Sequence, residues 1–294
     1  MTSHMVDVLI LGAVGQVGRA LAAESSCRGL EVRALGHAEC DISDRDAVAH
    51  AVAGARWVVN CAAYTAVDRA ESDAETAFRI NAGGARKVAV ACAKASIPLV
   101  HISTDYIFDG ENRTPIRELD RARPLNVYGQ TKLEGETAVR AEGSPHIILR
   151  TSWVFSAHGE NFVKTILRLA AGSAPLRIVN DQTGGPTAAA DIANAILDMI
   201  SVSTKPGFEA WGTYHFSGAP PVSWFEFAQA IVEAVEPYRS EAIIPITTKD
   251  FPRPAWRPKN SVLDCSRIRE VFGIDQPDWR PALRKVLATL HNNS

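Results

Sequence analysis

Apolar residues recur along the first half of the chain as short runs, each followed by a stretch with helical spacing. Val6 to Leu11 is an apolar run ending at Gly12, and Gln16 to Cys27 follows with the spacing of a helix. The alternation repeats. Strands are predicted over 31–35, 57–62 and 98–103, and helices over 43–53 and 75–95. Residues 105–124 are rich in charge, Gly and Pro and read as a loop, after which come a helix carrying Tyr128 and a strand over 147–154. This order of strand and helix predicts a parallel sheet with helices on both faces, a doubly wound α/β unit.

Beyond Phe155 the pattern loosens. Helices are expected near 161–171, over 188–200 and over 224–235, with strands over 176–179, 213–216 and 242–246. A Pro- and Arg-rich segment runs from Pro252 to Pro258, and helical patches surround Arg267 and Arg284. The expected organisation is a Rossmann-like dinucleotide-binding domain over 1–155, to which 187–218 returns, and a smaller substrate-binding domain made of 156–186 and 219–294. No internal repeat or low-complexity segment is present.

Composition narrows the function classes. Of 294 residues, 46% are hydrophobic, enough for a sizeable core. With 31 basic and 33 acidic residues the net charge is −2, so nothing draws the chain generally to nucleic acid or to an anionic membrane. Cys27, Cys40, Cys61, Cys92 and Cys265 are scattered and odd in number, which argues against a disulfide framework and a zinc site and fits a reducing cytoplasm. No apolar run reaches membrane-spanning length.

The candidate chemistry lies at two places. Gly12, Gly15 and Gly18 follow the first predicted strand and open a helix, where a glycine turn lets a pyrophosphate approach backbone amides at the positive helix end. The gap between the first two glycines is one residue longer than in the commonest dinucleotide fingerprint. That fingerprint also places an acid at the end of the second strand, whereas this chain has Gly36 and His37 there. A 2′-phosphate is then not repelled, and Arg19 or His37 is available to assist it, so NADPH is expected, with NADH possible. Asp41 and Ile42 border an adenine, or Asp41 or Ser43 caps the next helix. The small residues Cys61, Ala62 and Ala63 close the third strand and suit close approach to the middle of a cofactor.

The second place is Tyr128 and Lys132, four positions apart and so on one face of a helix. A phenol is a poor acid near neutrality, with an ordinary pKa of about 10, and a neighbouring ammonium would bring it closer to the working range. Thr104, at the end of an apolar run, adds a hydroxyl for a substrate oxygen. His101, inside the fourth strand, reads as a core histidine.

Taken together, Gly12 to Gly18, Asn60 to Glu71, Ser103 to Phe108 and Tyr128 with Lys132 resemble the extended short-chain dehydrogenase/reductases. Arg150 to Phe155, Asn161 with Phe162, Asp181 to Thr187 and Arg257 to Ser261 make the chain similar, more narrowly, to the dTDP-4-dehydrorhamnose reductase family over nearly its whole length. The resemblance implies transfer of hydride from a nicotinamide to carbon 4 of a keto-sugar nucleotide, giving dTDP-L-rhamnose. It implies that Thr104 bonds the carbonyl, Tyr128 delivers the proton, and Lys132 lowers the phenol's pKa and holds the nicotinamide ribose. Gln16 and Val17 join the glycines in the implied cofactor set.

Val67, Asp68, Asp105, Tyr106, Trp153, Asn161 and Arg257, with Thr104, are implied at the substrate, Arg257 being suited to a phosphate. Trp153 packs on the sugar or sits in a core. Some relatives are described as magnesium-linked dimers using glutamates near the phosphate-binding helix; Arg19 and Ala20 stand there in this chain, so no metal is expected and the chain is a monomer or a homodimer. Two other readings share the architecture. One is a nucleotide-sugar epimerase or dehydratase, against which Tyr106 stands where a dehydratase wants Glu. The other is a non-catalytic regulatory subunit resembling that of methionine adenosyltransferase.

Overall fold

A computed structural model describes residues 5–172, 174–235 and 243–292. The chain begins with β1 (Val6–Leu11), α1 (Gln16–Cys27), β2 (Val32–Leu35), α2 (Arg45–Val52) and β3 (Ala55–Asn60). Two short helices come next, α3 (Val67–Ala70) and α4 (Ala74–Phe78). A π-helical segment over Arg79–Gly84 leads from α4 into α5 (Ala85–Ala95), β4 (Leu99–Thr104) and a 3-10 turn at Asp105–Ile107. After the loop stand α6 (Val127–Ala141) and β5 (His146–Thr151).

The strand expected over 147–154 is broken. β5 stops at Thr151 and a separate β6 (Val154–Phe155) begins after Trp153, whose φ of 49° lies in the left-handed region and turns the chain off the sheet. The helix expected over 75–95 forms with the π segment inside it, where Asn81 projects its side chain to Tyr64 and Thr131. α3 was not expected, because four residues are too short for a hydrophobic period to register.

The second half contains α7 (Phe162–Ala170), β7 (Leu176–Val179), β8 (Thr183–Gly184), β9 (Thr187–Ala188), α8 (Ala189–Ser203) and β10 (Gly212–His215). β11 (Val222–Ser223), α9 (Trp224–Glu233), β12 (Ile243–Ile246), β13 (Asn260–Ser261), α10 (Ser266–Phe272) and α11 (Trp279–Asn292) complete it. The start of the strand expected from residue 242 lies outside the described residues.

Six strands form one parallel sheet in the order β10-β5-β4-β3-β1-β2. Strand order reverses between β1 and β3, and a doubly wound sheet opens its ligand crevice at such a point, outside the carboxyl ends of the strands. Leu11 is in register with Leu35 and Asn60, so three strand ends reach that crevice together. Two apolar clusters cover the sheet. Leu21, Ile192, Ile196, Ile268 and Phe272 bring α1, α8 and α10 onto one face, and Val48, Val88, Cys92 and Val139 bring α2, α5 and α6 onto the other. A third cluster, around Phe155, Ile166, Phe227, Ile231, Trp279 and Leu283, joins α7, α9 and α11 away from the sheet. Small two- and three-stranded sheets lie in this second region.

Candidate active site

A cleft of about 720 Å³ lies over the crevice. Its floor is the turn between β1 and α1. Gly12 has φ +79°, and a Cβ there would stand 2.5 Å from the Ala62 amide nitrogen; one on Gly18 would stand 2.4 Å from the Gly12 carbonyl oxygen. Only glycine lets turn, helix and β3 approach this closely. Gly15 caps α1 without any side-chain hydrogen bond, leaving the helix amides free to face a ligand.

From the implied cofactor set, Gly12, Gly15, Gln16, Val17, Gly18, Asp41, Ile42, Cys61, Ala62, Ala63, Tyr128 and Lys132 all line this cleft. Asp41 does not cap α2; Asp44 does, accepting from the amides of Asp46 and Ala47. One residue escaped the sequence reading. Glu39 folds back so that its carboxylate accepts from the Gly36 amide at 2.9 Å, and a negative charge therefore stands at the end of β2 after all. It sits four residues past Leu35, beyond the position where a strand-end acid is sought.

Thr104, Tyr128 and Lys132 line the same cleft. The side chain of Asn126 caps α6 by accepting from the Gly129 amide, and Gly129 lets that helix start press on Tyr106: a Cβ there would be 2.1 Å from the Tyr106 carbonyl oxygen. The Tyr106 and Tyr128 rings meet edge to face at 5.9 Å. Thr104 donates to Asp105 Oδ1 at 3.0 Å and accepts from the Tyr106 amide. Asp105 Oδ2 is buried without a partner, and burial pushes this carboxyl up to about 6.

The electrostatics differ from the expectation in one respect. Burial pushes the Tyr128 phenol up to about 12, the Thr104 hydroxyl offsets part of the rise, and Asp105 adds to it. Lys132 is not among these influences on the phenol. Its Nζ donates to the Ile102 carbonyl at 2.6 Å, and burial lowers its own pKa to about 8. A phenol near 12 is fully protonated at neutral pH, which is the form an acid must have before it gives a proton away.

Behind Lys132 lies a network the sequence reading did not single out. Glu136, 0% exposed, accepts from Ser103 at 2.6 Å and twice from Arg150, at 2.9 and 2.7 Å. Burial alone would raise this carboxyl, but Arg150, Ser103 and Arg140 hold it down at about 2. A buried carboxylate with such partners keeps α6 in one position against β4 and β5. Glu136 follows Lys132 by one helical turn, a signal that points as readily to a surface charge. His101 is buried against Asn60 and held neutral by desolvation, a core position.

The implied substrate residues separate. Val67, Thr104, Asp105, Tyr106 and Trp153 line the cleft, whereas Asp68, Asn161 and Arg257 do not. Trp153 stacks on Trp224 at 3.5 Å and 7°, and Trp224 also borders a second groove of about 1200 Å³. Asn161 caps α7 and donates to Gln16 and to the Ser156 carbonyl. Arg257 lines the second groove and is paired with Asp68. That groove has an apolar floor of Phe162, Ile166, Leu176 and Ile178 and carries Arg168, Arg177, Lys249, Arg253 and Arg257, with no acid among its described lining residues. Among the described residues no group of three or more His, Cys, Asp or Glu is arranged to hold a metal, and no helix is long and apolar enough to cross a membrane.

Residues 5–292 match the family model described as the RmlD substrate binding domain. The chain belongs to this family. Within it, the chain is 40% identical to the dTDP-4-dehydrorhamnose reductase of Aggregatibacter actinomycetemcomitans, covering 97% of this chain and 99% of that one. It is 36% identical to the Escherichia coli K12 enzyme of the same name, over 97% and 98% of the two chains. A family member from Bacillus anthracis, solved as a crystal structure of dTDP-4-dehydrorhamnose reductase in complex with NADP, superposes with a TM-score of 0.90 at 34% identity, covering 97% of this chain and 99% of that one.

Proposed function

We propose that this protein catalyses NADPH-dependent reduction of the 4-keto group of dTDP-4-dehydro-L-rhamnose to dTDP-L-rhamnose. The observation that carries the reading is the joining of three features: a glycine-floored crevice, a protonated, half-buried phenol with Thr104 beside it, and a cationic, apolar groove beyond Trp224. Membership of the family and the relatives' shared activity point the same way.

The residues present fit a dinucleotide. Glycines at 12 and 18 let the turn close against the backbone of Ala62 and of its own start, and the α1 amides above it have no side-chain cap and are free for a pyrophosphate. When bound, the reduced nicotinamide supplies the hydride. Gly12, Gly15 and Gly18 hold the pyrophosphate, Asp41 and Ile42 border the adenine end, and Lys132 holds the nicotinamide ribose. As carbon 4 is reduced, charge builds on the keto oxygen. Thr104 donates to that oxygen and Tyr128 passes it a proton, so both contacts strengthen most in the transition state. An alkoxide is more basic than a phenolate even when the phenol sits near 12, so the transfer runs downhill. NADPH is the cofactor, as in the relative solved with NADP; the Glu39 carboxylate at the end of β2 would disfavour its 2′-phosphate, and NADH, which lacks that group, is accepted as well.

In the same reading Trp153 flanks the sugar, and the groove with its five cations takes the thymidine diphosphate. The substrate lobe comprises 156–186 and 219–294, less α10, which packs with the sheet; 187–218 belongs to the sheet unit. The cytoplasm suits a chain whose five cysteines are all free. The test is NADPH oxidation with dTDP-4-dehydro-L-rhamnose beside its epimers. Turnover of the L-rhamno epimer with stoichiometric loss of NADPH supports the reading. Product formation without added NADPH, from protein carrying bound NAD, replaces it with an epimerase or dehydratase, and co-purification with a partner enzyme without oxidation of NADPH replaces it with a regulatory subunit.

A further inference from the structure

Asp68 stands at the junction of the two cavities, on α3 of the sheet unit, facing the segment that follows Pro252. Its carboxylate accepts from both Nη atoms of Arg257, each at 2.9 Å, from Arg253 Nη2 at 2.8 Å and from the Ala255 amide at 3.3 Å. An ionised carboxylate has about four acceptor sites and no donor. All four are used. Burial would raise this carboxyl, but the two guanidinium groups and the Ala255 amide keep it below the ordinary carboxylate range, so it is ionised at neutral pH. A carboxylate in that state has nothing to offer a sugar hydroxyl, and it would repel a phosphate placed against it.

The two arginines are differently placed. Arg257 is mostly buried and lines the cationic groove, where it also donates to the Ala255 carbonyl at 2.8 Å. Arg253 is about half exposed and lines the same groove. Each guanidinium has five N–H donors, and the recorded bonds leave some of them unused on both. The pair and its carboxylate together carry one net positive charge, pinned at the groove's end nearest the cleft.

From this geometry we propose that Asp68 is a positioning residue that fixes Arg253 and Arg257 to receive the diphosphate of the nucleotide sugar, and does not itself touch the substrate. The proposal rests on the reading of the groove given above. It assigns Asp68 a role different from the direct contact that family resemblance implies.

The test compares wild type with Asp68→Asn, Arg257→Gln and the double variant. It measures KM and kcat for the keto-sugar nucleotide, the Kd of thymidine diphosphate at two salt concentrations, and the Kd of NADPH. Asn keeps the size and one acceptor, while losing the charge that orients two guanidinium groups, so KM and the thymidine diphosphate Kd are expected to rise about tenfold. kcat falls less than KM rises, and the NADPH Kd is unchanged, which also reports that the variant is folded. The double variant loses less than the sum of the two single losses, because the Asp68–Arg257 contact is lost once and only the pinning of Arg253 is lost in addition, and Asp68→Glu recovers part of the affinity.

Unchanged KM in Asp68→Asn, or additive losses in the double variant, overturns the proposal. So does tighter binding of thymidine diphosphate by Asp68→Asn, which would make the carboxylate a competitor for the arginines. If wild type neither turns over a keto-sugar nucleotide nor binds thymidine diphosphate, the functional reading itself fails, and that result is distinct from any of these.

Discussion

The cleft that holds Tyr128 and Lys132 and the groove beyond Trp224 are assembled in opposite ways. The cleft draws its chemistry from a few continuous segments at the ends of adjacent parallel strands: the turn after β1, the end of β3, the end of β4 and the first turns of α6. The groove is put together from α7, β7, the start of α9 and the residues after Thr247, which meet only in three dimensions. In the cleft, backbone and small residues set the shape on which Thr104, Tyr128 and Lys132 stand, and geometry follows from register. In the groove, long cationic side chains do the work, and geometry depends on what pins them. Asp68 belongs by sequence to the first region and by contact to the second.

The largest test of this contrast is Tyr128→Phe. The substitution removes one hydroxyl from a cleft whose shape is set by backbone, so NADPH affinity should stay within about twofold while kcat falls by about 10² to 10⁴, the usual share of a general acid. Fluorescence titration of the cofactor and steady-state oxidation of NADPH measure the two. Near-normal turnover would remove Tyr128 from the chemistry, and loss of both properties would show that the phenol also holds the cleft together.

A smaller effect separates charge from shape inside the cleft. Lys132 titrates at about 8 in the folded protein against an ordinary 10.5, because burial disfavours its ammonium. Its charged form is the one that holds a ribose, so kcat/KM should fall about tenfold per pH unit above pH 8. Stability has the opposite slope. Between about 8 and 10.5 the unfolded chain binds more protons at this group than the folded one, so this lysine's contribution to folding improves as pH rises through that window. A kcat/KM profile that stays level to pH 10 would mean that the ammonium is not needed. Lys132→Arg should move the alkaline limb out of range, since guanidinium keeps its proton there.

The same contrast explains what the amino-acid sequence made legible. β1, α1 and β7 lie where the hydrophobic period puts them, and the glycine turn and the Tyr–Lys spacing were visible because each is local. Resemblance extended the list to Asp68 and Arg257 by position but could not supply their mutual contact, because 189 residues separate them. The direction of the phenol's shift was missed for a related reason. Spacing along α6 said that an ammonium was near, but not that it would be bound to the Ile102 carbonyl, nor that desolvation would outweigh it. Glu136 was passed over because an acid four residues after a lysine reads as a surface pair, and only the arrival of Arg150 from β5 makes it a buried one.

Asn161 gives the smallest effect and sharpens the boundary between the two regions. Its side chain accepts from the Lys164 amide as the cap of α7, and its amide group donates to Gln16, at the start of α1, at 2.9 Å. Asn161→Ala should therefore cost about 1 kcal/mol, the ordinary value of a helix cap, and lower Tm by a few degrees. The Gln16 contact makes a second consequence specific. With that donor gone, Gln16 keeps only the Ser156 hydroxyl bond at the edge of the cleft, so any kinetic change should appear in the KM for NADPH and not in that for the nucleotide sugar. A rise in the nucleotide-sugar KM without loss of Tm would give Asn161 back the substrate contact that resemblance implies. The absence of that rise would leave it a tie between the region built by register and the region built by paired charges.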